Sequence, residues 1–168
     1  MVRARVFRWC SISSTRTGFV RRPRALARPS TASIGRWRTR ERKPFGKALA
    51  TNQGIQFPLV DLQAEAEMLR ALIHKTAWSM DRYGAFSQSD KVSMCNYRAN
   101  WLVCNAADQA MQTFGGLGYS RHEPFEHIYR HHRRYRITEG ADEIQMRRVA
   151  GYMFGFMNQQ APKGVEER

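Results

Sequence analysis

Gln112 to Gln145 is the stretch on which the reading turns: Q-T-F-G-G-L-G-Y at 112–119, a polar and arginine-rich bridge, then I-T-E-G-A-D-E-I-Q at 137–145. A glycine loop and a lone carboxylate beside glycine stand one short helix apart. Gly115, Gly116 and Gly118 leave backbone N–H groups uncovered and permit positive φ, so a flat or anionic ligand can approach the main chain closely. Glu139 stands where a helix would start, just ahead of Gly140, a placement that suits a carboxylate reaching into a cavity.

Outward from this stretch the apolar pattern is helical. Leu62, Ala66, Leu69, Ile73, Ala77 and Met80 recur every three or four residues, one face of an amphipathic helix from Ile55 to about Tyr83. Gly84 and the polar run to Asp90 provide a turn in which Ser89 or Asp90 can cap the next helix. Met94, Tyr97, Trp101, Cys104, Ala107 and Met111 mark one face of that second helix, which stops at Gly115 and Gly116. A third helix begins near Pro124, whose missing N–H suits a first turn, and runs through Arg130 towards Tyr135. A fourth follows Glu139 and shows Ile144, Val149, Tyr152, Met153 and Phe156. No alternating run argues for a sheet, so the expected fold class is all-α, an up-and-down four-helix bundle. Trp78, Trp101 and the methionines fall on the stripes and read as core packing.

These residues carry a resemblance. Q-x-F-G-G-x-G-Y, then Pro124, Glu126 and Arg130, then E-G-x-x-E-I-Q, is similar in order and spacing to the C-terminal domain of the acyl-CoA dehydrogenases, flavoenzymes that desaturate acyl thioesters. E-R-K-P-F-G-K at 41–47 and N-Q-G-I-Q-F at 52–57 resemble the start of the same domain, so the resemblance runs from about Glu41 to Phe154. It implies that Glu139 is the base, which removes the α-proton of the acyl thioester while a hydride leaves the β-carbon for the flavin. An α-proton of a thioester is weakly acidic, so such a base needs a raised pKa and a polarised carbonyl. The resemblance assigns that polarisation to a ribityl hydroxyl of the flavin and the backbone N–H of Glu139. Gly140 then leaves room for the substrate.

The resemblance further implies FAD as cofactor, with Gln112, Thr113, Phe114, Gly115 and Gly116 lining its adenosine and pyrophosphate end across a subunit boundary. Arg42 matches an arginine that reaches the pyrophosphate, where its planar fork is apt; Phe45 and Gln53 match further cofactor contacts. After the base the family has Thr, a small polar residue and Gln or Glu against the adenosine. Here Ala141, Asp142 and Glu143 hold those places, and Ala141 cannot supply the threonine hydroxyl. An acyl-CoA substrate, an electron-transferring flavoprotein or similar acceptor, and a homo-oligomer are the implied partners, in fatty-acid β-oxidation. The family also has an N-terminal helical domain and a middle β-domain, for which this chain has no counterpart, so whether the chain by itself holds FAD and turns over stays open. A non-catalytic helical module that pairs with full-length homologues is the alternative.

Without the resemblance each element has a plainer reading: Glu139 as a solvated residue near a helix start, the paired glycines as a helix stop, Arg42 as a surface arginine. No strand precedes the glycines, so they form neither a P-loop nor a dinucleotide fingerprint. His127 and His131 are spaced i, i+4, as a metal pair could be. Arg130, Arg133, Arg134 and Arg136 crowd them, and a cationic helix face is the better reading.

The net charge of +14 would by itself suggest an anionic partner. Residues 1–40, however, hold 11 of the 28 basic residues, all Arg, and no acid, whereas 41–168 carries a net charge of only +3. Three readings of 1–40 stay open: a shifted frame or mis-set start, favoured by the abrupt onset of the pattern at Glu41; an Arg- and Ser-rich transit peptide; and a disordered basic arm. No nucleic-acid module is recognised in its spacing. The domain is expected over 41–157, with 158–168 a frayed tail. Cys10, Cys95 and Cys104 show no metal or redox spacing, so disulfides are not expected and the chain reads as intracellular. No apolar run reaches the roughly 18 residues that span a membrane. A bacterial cytoplasm is the expected location, or a mitochondrial matrix if residues 1–40 are a transit peptide.

Overall fold

The computed structural model describes residues 42–138 and 140–157. The readings of 1–40, of Glu139 and of 158–168 lie outside the described residues. Within them the fold is all-α, without a strand, and its main helices follow one another in up-and-down order. They are α1 (Gln53–Tyr83), α2 (Ser89–Phe114), the short α3 (Gly116–Tyr119), α4 (Phe125–Arg133) and α5 (Asp142–Met153). Among the described residues no helix is long and apolar enough to cross a membrane.

The first helix starts where the sequence supplies a cap. Asn52 has extended backbone geometry, and its side chain accepts from the Gly54 N–H at 2.9 Å. The helix ends at Gly84, whose N–H bonds back to Met80 O. The entry to α2 differs from the expectation. Neither Ser89 nor Asp90 caps it; both lie inside the helix, and the capping position falls on Gln88 with no side-chain bond. The physical reason is the 3-10 turn Phe86–Gln88, which feeds the chain into α2 in helical geometry and leaves no extended residue to act as a cap. Ser87 instead donates to Gly84 O at 2.7 Å, at the end of the helix before. Pro124 likewise stands one place ahead of α4, at its N-cap.

α2 is the hub of the bundle, packed against α1, α3, α4 and α5. Its burial is correspondingly broad: Val92, Cys95, Leu102, Cys104, Ala107, Ala110 and Phe114 are all inside, whereas α1 buries only Leu69 and Ala77 among its apolar side chains. At its C-terminal end Ala110, Phe114 and the fully buried Phe125 form a tight cluster with Met111. The Phe114 and Phe125 rings meet edge to face at 4.9 Å. This contact clamps α4 against the end of α2.

Some residues assigned to the core lie elsewhere. Trp78 is 53% exposed, with the Arg82 guanidinium 5.3 Å from its ring centroid. Of the stripe expected in the last helix only Val149 is buried; Ile144 and Met153 are exposed, and Phe156, also exposed, lies beyond the end of α5. A stripe spread over so wide an arc cannot all meet the one helix, α2, on which α5 packs.

The turn from α2 into α3 depends on close approach of backbone. A Cβ on Gly118 would lie 2.6 Å from Phe114 Cβ and 2.8 Å from Met111 O, and neither atom can swing away. Gly118→Ala is therefore expected to destabilise the domain by about 1–3 kcal/mol through overpacking. Urea unfolding should show this as a lower midpoint at unchanged slope. An unchanged midpoint would show that the turn opens freely.

Candidate active site

The end of α2 and the segment before α1 come together first. Gly115 has φ +62°, and its N–H bonds back to Met111 O at 3.0 Å, so it ends the helix in a conformation that L side chains rarely adopt. Arg42, 71 positions earlier, donates from Nη1 to Thr113 O at 2.7 Å. Its Nη2 lies 3.3 Å from where a Cβ of Gly115 would stand, so the guanidinium rests against the bare glycine. The last carbonyls of a helix lack partners and carry partial negative charge, which makes this a favourable seat for a cation.

Other residues expected on the cofactor take different places. Thr113 is buried and its hydroxyl donates to Gln109 O at 2.7 Å, which leaves only its oxygen lone pairs to meet a ligand. Phe114 is buried, and its side chain faces the core against Phe125. Gln112 and Gly116 are exposed beside the loop. Phe45 is 95% exposed, Gln53 is exposed on the first turn of α1, and neither hydrogen-bonds the loop among the described residues.

The second centre surrounds the segment that carries Glu139. Gly140 has φ +94°, and the Gln145 side chain folds back over it, donating from Nε2 to Gly140 O at 3.4 Å. Ala141 occupies the N-cap of α5 and supplies no side-chain bond, and Glu143 is exposed on the first turn. Asp142 turns inward. Its Oδ2 accepts from Trp101 Nε1 and from Arg136 Nε, each at 2.8 Å, and the Arg136 guanidinium lies 3.9 Å from the Trp101 ring centroid. Burial disfavours the Arg136 charge, but the hydrogen bond and charge of Asp142 outweigh it and hold its pKa above the ordinary arginine value. Burial pushes the neighbouring Cys104 thiol up, against the pull of Arg136 and Arg133. Cys104 is thus a structural thiol.

Sequence reasoning did not find this cluster. Trp101 lies on an apolar stripe and reads as core, and only the aspartate in a place where a small polar residue is expected gave a signal. The cationic face of α4 is present: Arg121, Arg130, Arg133, Arg134 and His127 line an open cleft of about 980 Å³, together with Glu123 and Glu126. The His127 and His131 rings stack at 6.1 Å.

An all-α domain whose central helix offers a glycine loop at one end and holds a carboxylate-bearing segment farther back is a well-defined class. Residues 31–154 match the acyl-CoA dehydrogenase C-terminal domain, and the chain belongs to that family. The probable acyl-CoA dehydrogenase FadE2 of Mycobacterium tuberculosis is 33% identical over 113 residues, 67% of this chain and 28% of that protein. The mitochondrial short-chain specific acyl-CoA dehydrogenase of Bos taurus is 36% identical over 112 residues, 67% of this chain and 27% of that protein. The structure of glutaryl-coenzyme A dehydrogenase in complex with glutaryl-CoA superposes with a TM-score of 0.70 at 26% identity, covering 82% of this chain and 34% of that one. The chain spans little more than a quarter of the length of these two curated relatives.

Proposed function

We propose that this chain supplies the C-terminal part of an FAD-dependent acyl-CoA dehydrogenase site. Glu139 acts as the base towards the α-carbon of an acyl-CoA thioester. Arg42 and the main chain of 112–116 receive the pyrophosphate and adenosine end of FAD, with Glu143 beside the adenosine. FAD held there would supply the hydride acceptor for the β-carbon, and an electron-transferring flavoprotein or similar acceptor would be the redox partner. A site shared across subunits calls for a homo-oligomer.

The observation that carries this reading is the seating of Arg42 on Gly115. Two segments far apart in sequence place a guanidinium beside an uncovered backbone, and that donor set suits a pyrophosphate: a planar fork, and main chain without a Cβ in the way. Arg42 Nη1 is engaged with Thr113 O, and the rest of the planar fork can turn to an anion.

The test is visible absorbance of the purified chain after incubation with FAD and removal of the excess. Flavin should remain with the protein and bleach on addition of a short or a long acyl-CoA. Arg42→Ala should weaken retention about tenfold to a hundredfold, the worth of one hydrogen bond to a charged group. A chain that retains no flavin would instead fit a helical module pairing with full-length homologues.

A further inference from the structure

Neighbouring residues of α2 hold both ends of the segment that carries Glu139. On the entry side Asn100 Nδ2 donates to Tyr135 O at 3.4 Å, and on the exit side Trp101 Nε1 donates to Asp142 Oδ2 at 2.8 Å. Arg136 precedes the segment and Asp142 follows it, so their ion pair ties its two ends together, with the Arg136 guanidinium over the Trp101 ring. The Arg136 and Asp142 side chains are only 17% and 8% exposed, so salt screens the pair weakly. Asp142 also opens α5, where a carboxylate complements the helix dipole.

We propose that Asp142 is a positioning residue that clasps 137–141 to α2 and thereby fixes the direction of Glu139. The proposal deepens the functional reading and rests on it for the role of Glu139. The need is physical. Gly140 at φ +94° loosens the backbone next to the base, and a base about 1 Å out of place loses much of its effect. A cross-tie between the two ends restores stiffness. Asp142 acts through the backbone, since its Oδ2 already serves two donors.

The experiment uses the full chain labelled with 15N. Asp142→Asn keeps the size and an acceptor for Trp101 but removes the charge; Asp142→Ala removes both, and Asp142→Glu restores the charge. The indole N–H resonance lost in Trp101→Phe should shift in the Asn and Ala variants. The Ile137 and Thr138 amides, each bonded to Arg134 O at 3.0 Å, should exchange at least tenfold faster in Asp142→Ala, less so in Asp142→Asn, with part of the protection recovered in Asp142→Glu. The Ala107 and Ala110 amides of α2 should exchange as before. With flavin bound, Asp142→Asn should slow bleaching by acyl-CoA more than tenfold at equal flavin retention. Unchanged exchange at Ile137 and Thr138 would overturn the clasp, and acceleration spread evenly over α2 would reduce Asp142 to a general stabiliser. Unslowed bleaching would remove its positioning role. A chain without flavin sinks the functional reading, while the exchange pattern still decides the clasp.

Discussion

Glu139→Gln is expected to leave flavin bound but to slow its bleaching by acyl-CoA about 10²–10⁴-fold, the usual worth of a positioned general base. Glutamine keeps the shape and the backbone N–H of the residue, so contacts to a thioester carbonyl survive and only the proton acceptor is lost. Stopped-flow absorbance at equal flavin loading measures the rate. A rate within a fewfold of the parent would remove Glu139 from the chemistry, and loss of flavin in step with the rate would make it a structural residue.

Phe125→Ala is expected to cost about 3–5 kcal/mol, the range for deleting a fully buried aromatic ring. Phe125 is fully buried, and its ring meets that of Phe114 at the point where α4 braces the last turn of α2. With a few degrees per kcal/mol for a domain of this size, the midpoint of thermal unfolding should fall by roughly 10–20 °C. Phe125→Leu, which fills more of the space, should cost less, under about 2 kcal/mol. Since Phe114 adjoins Gly115, the alanine variant should also weaken FAD retention while still folded at low temperature. A thermal shift of only a degree or two would show that α4 does not anchor the end of α2.

The periodic part of the architecture was legible in the sequence. The stripe from Leu62 to Met80 locates α1, the spacing from Met94 to Met111 locates α2, and the paired glycines mark its end, because helix period and helix stops are local physics. Periodicity does not say which side of a helix finds a neighbour, so the exposure of Trp78 and the broad burial of α2 were not readable. Capping before α2 was misread because Ser89 and Asp90 have cap chemistry, and only the 3-10 turn ahead of them decides that they are not used. At the site, the bond from Arg42 to Thr113 O that seats the guanidinium on Gly115 joins positions 71 apart, and it came within reach only through a family likeness. The Trp101 indole is apolar in any hydropathy pattern, and its role as a hydrogen-bond donor emerges only once Asp142 is folded beneath it.

Trp101 and Thr113 lie on one uninterrupted helix, with twelve positions from the indole that bonds Asp142 to the carbonyl that seats Arg42. At 1.5 Å per residue this is roughly 18 Å along the axis and a third of a turn around it. α2 is therefore a ruler: it fixes both the span and the relative heading of the two ends of any ligand laid along it. Removing one residue between Trp101 and Thr113 would shorten that span by only about 1.5 Å but swing one end by about 100° relative to the other. Substitutions along this helix can be absorbed singly, while insertions and deletions cannot, and variation in the ligand's length must be met at the ends of the ruler.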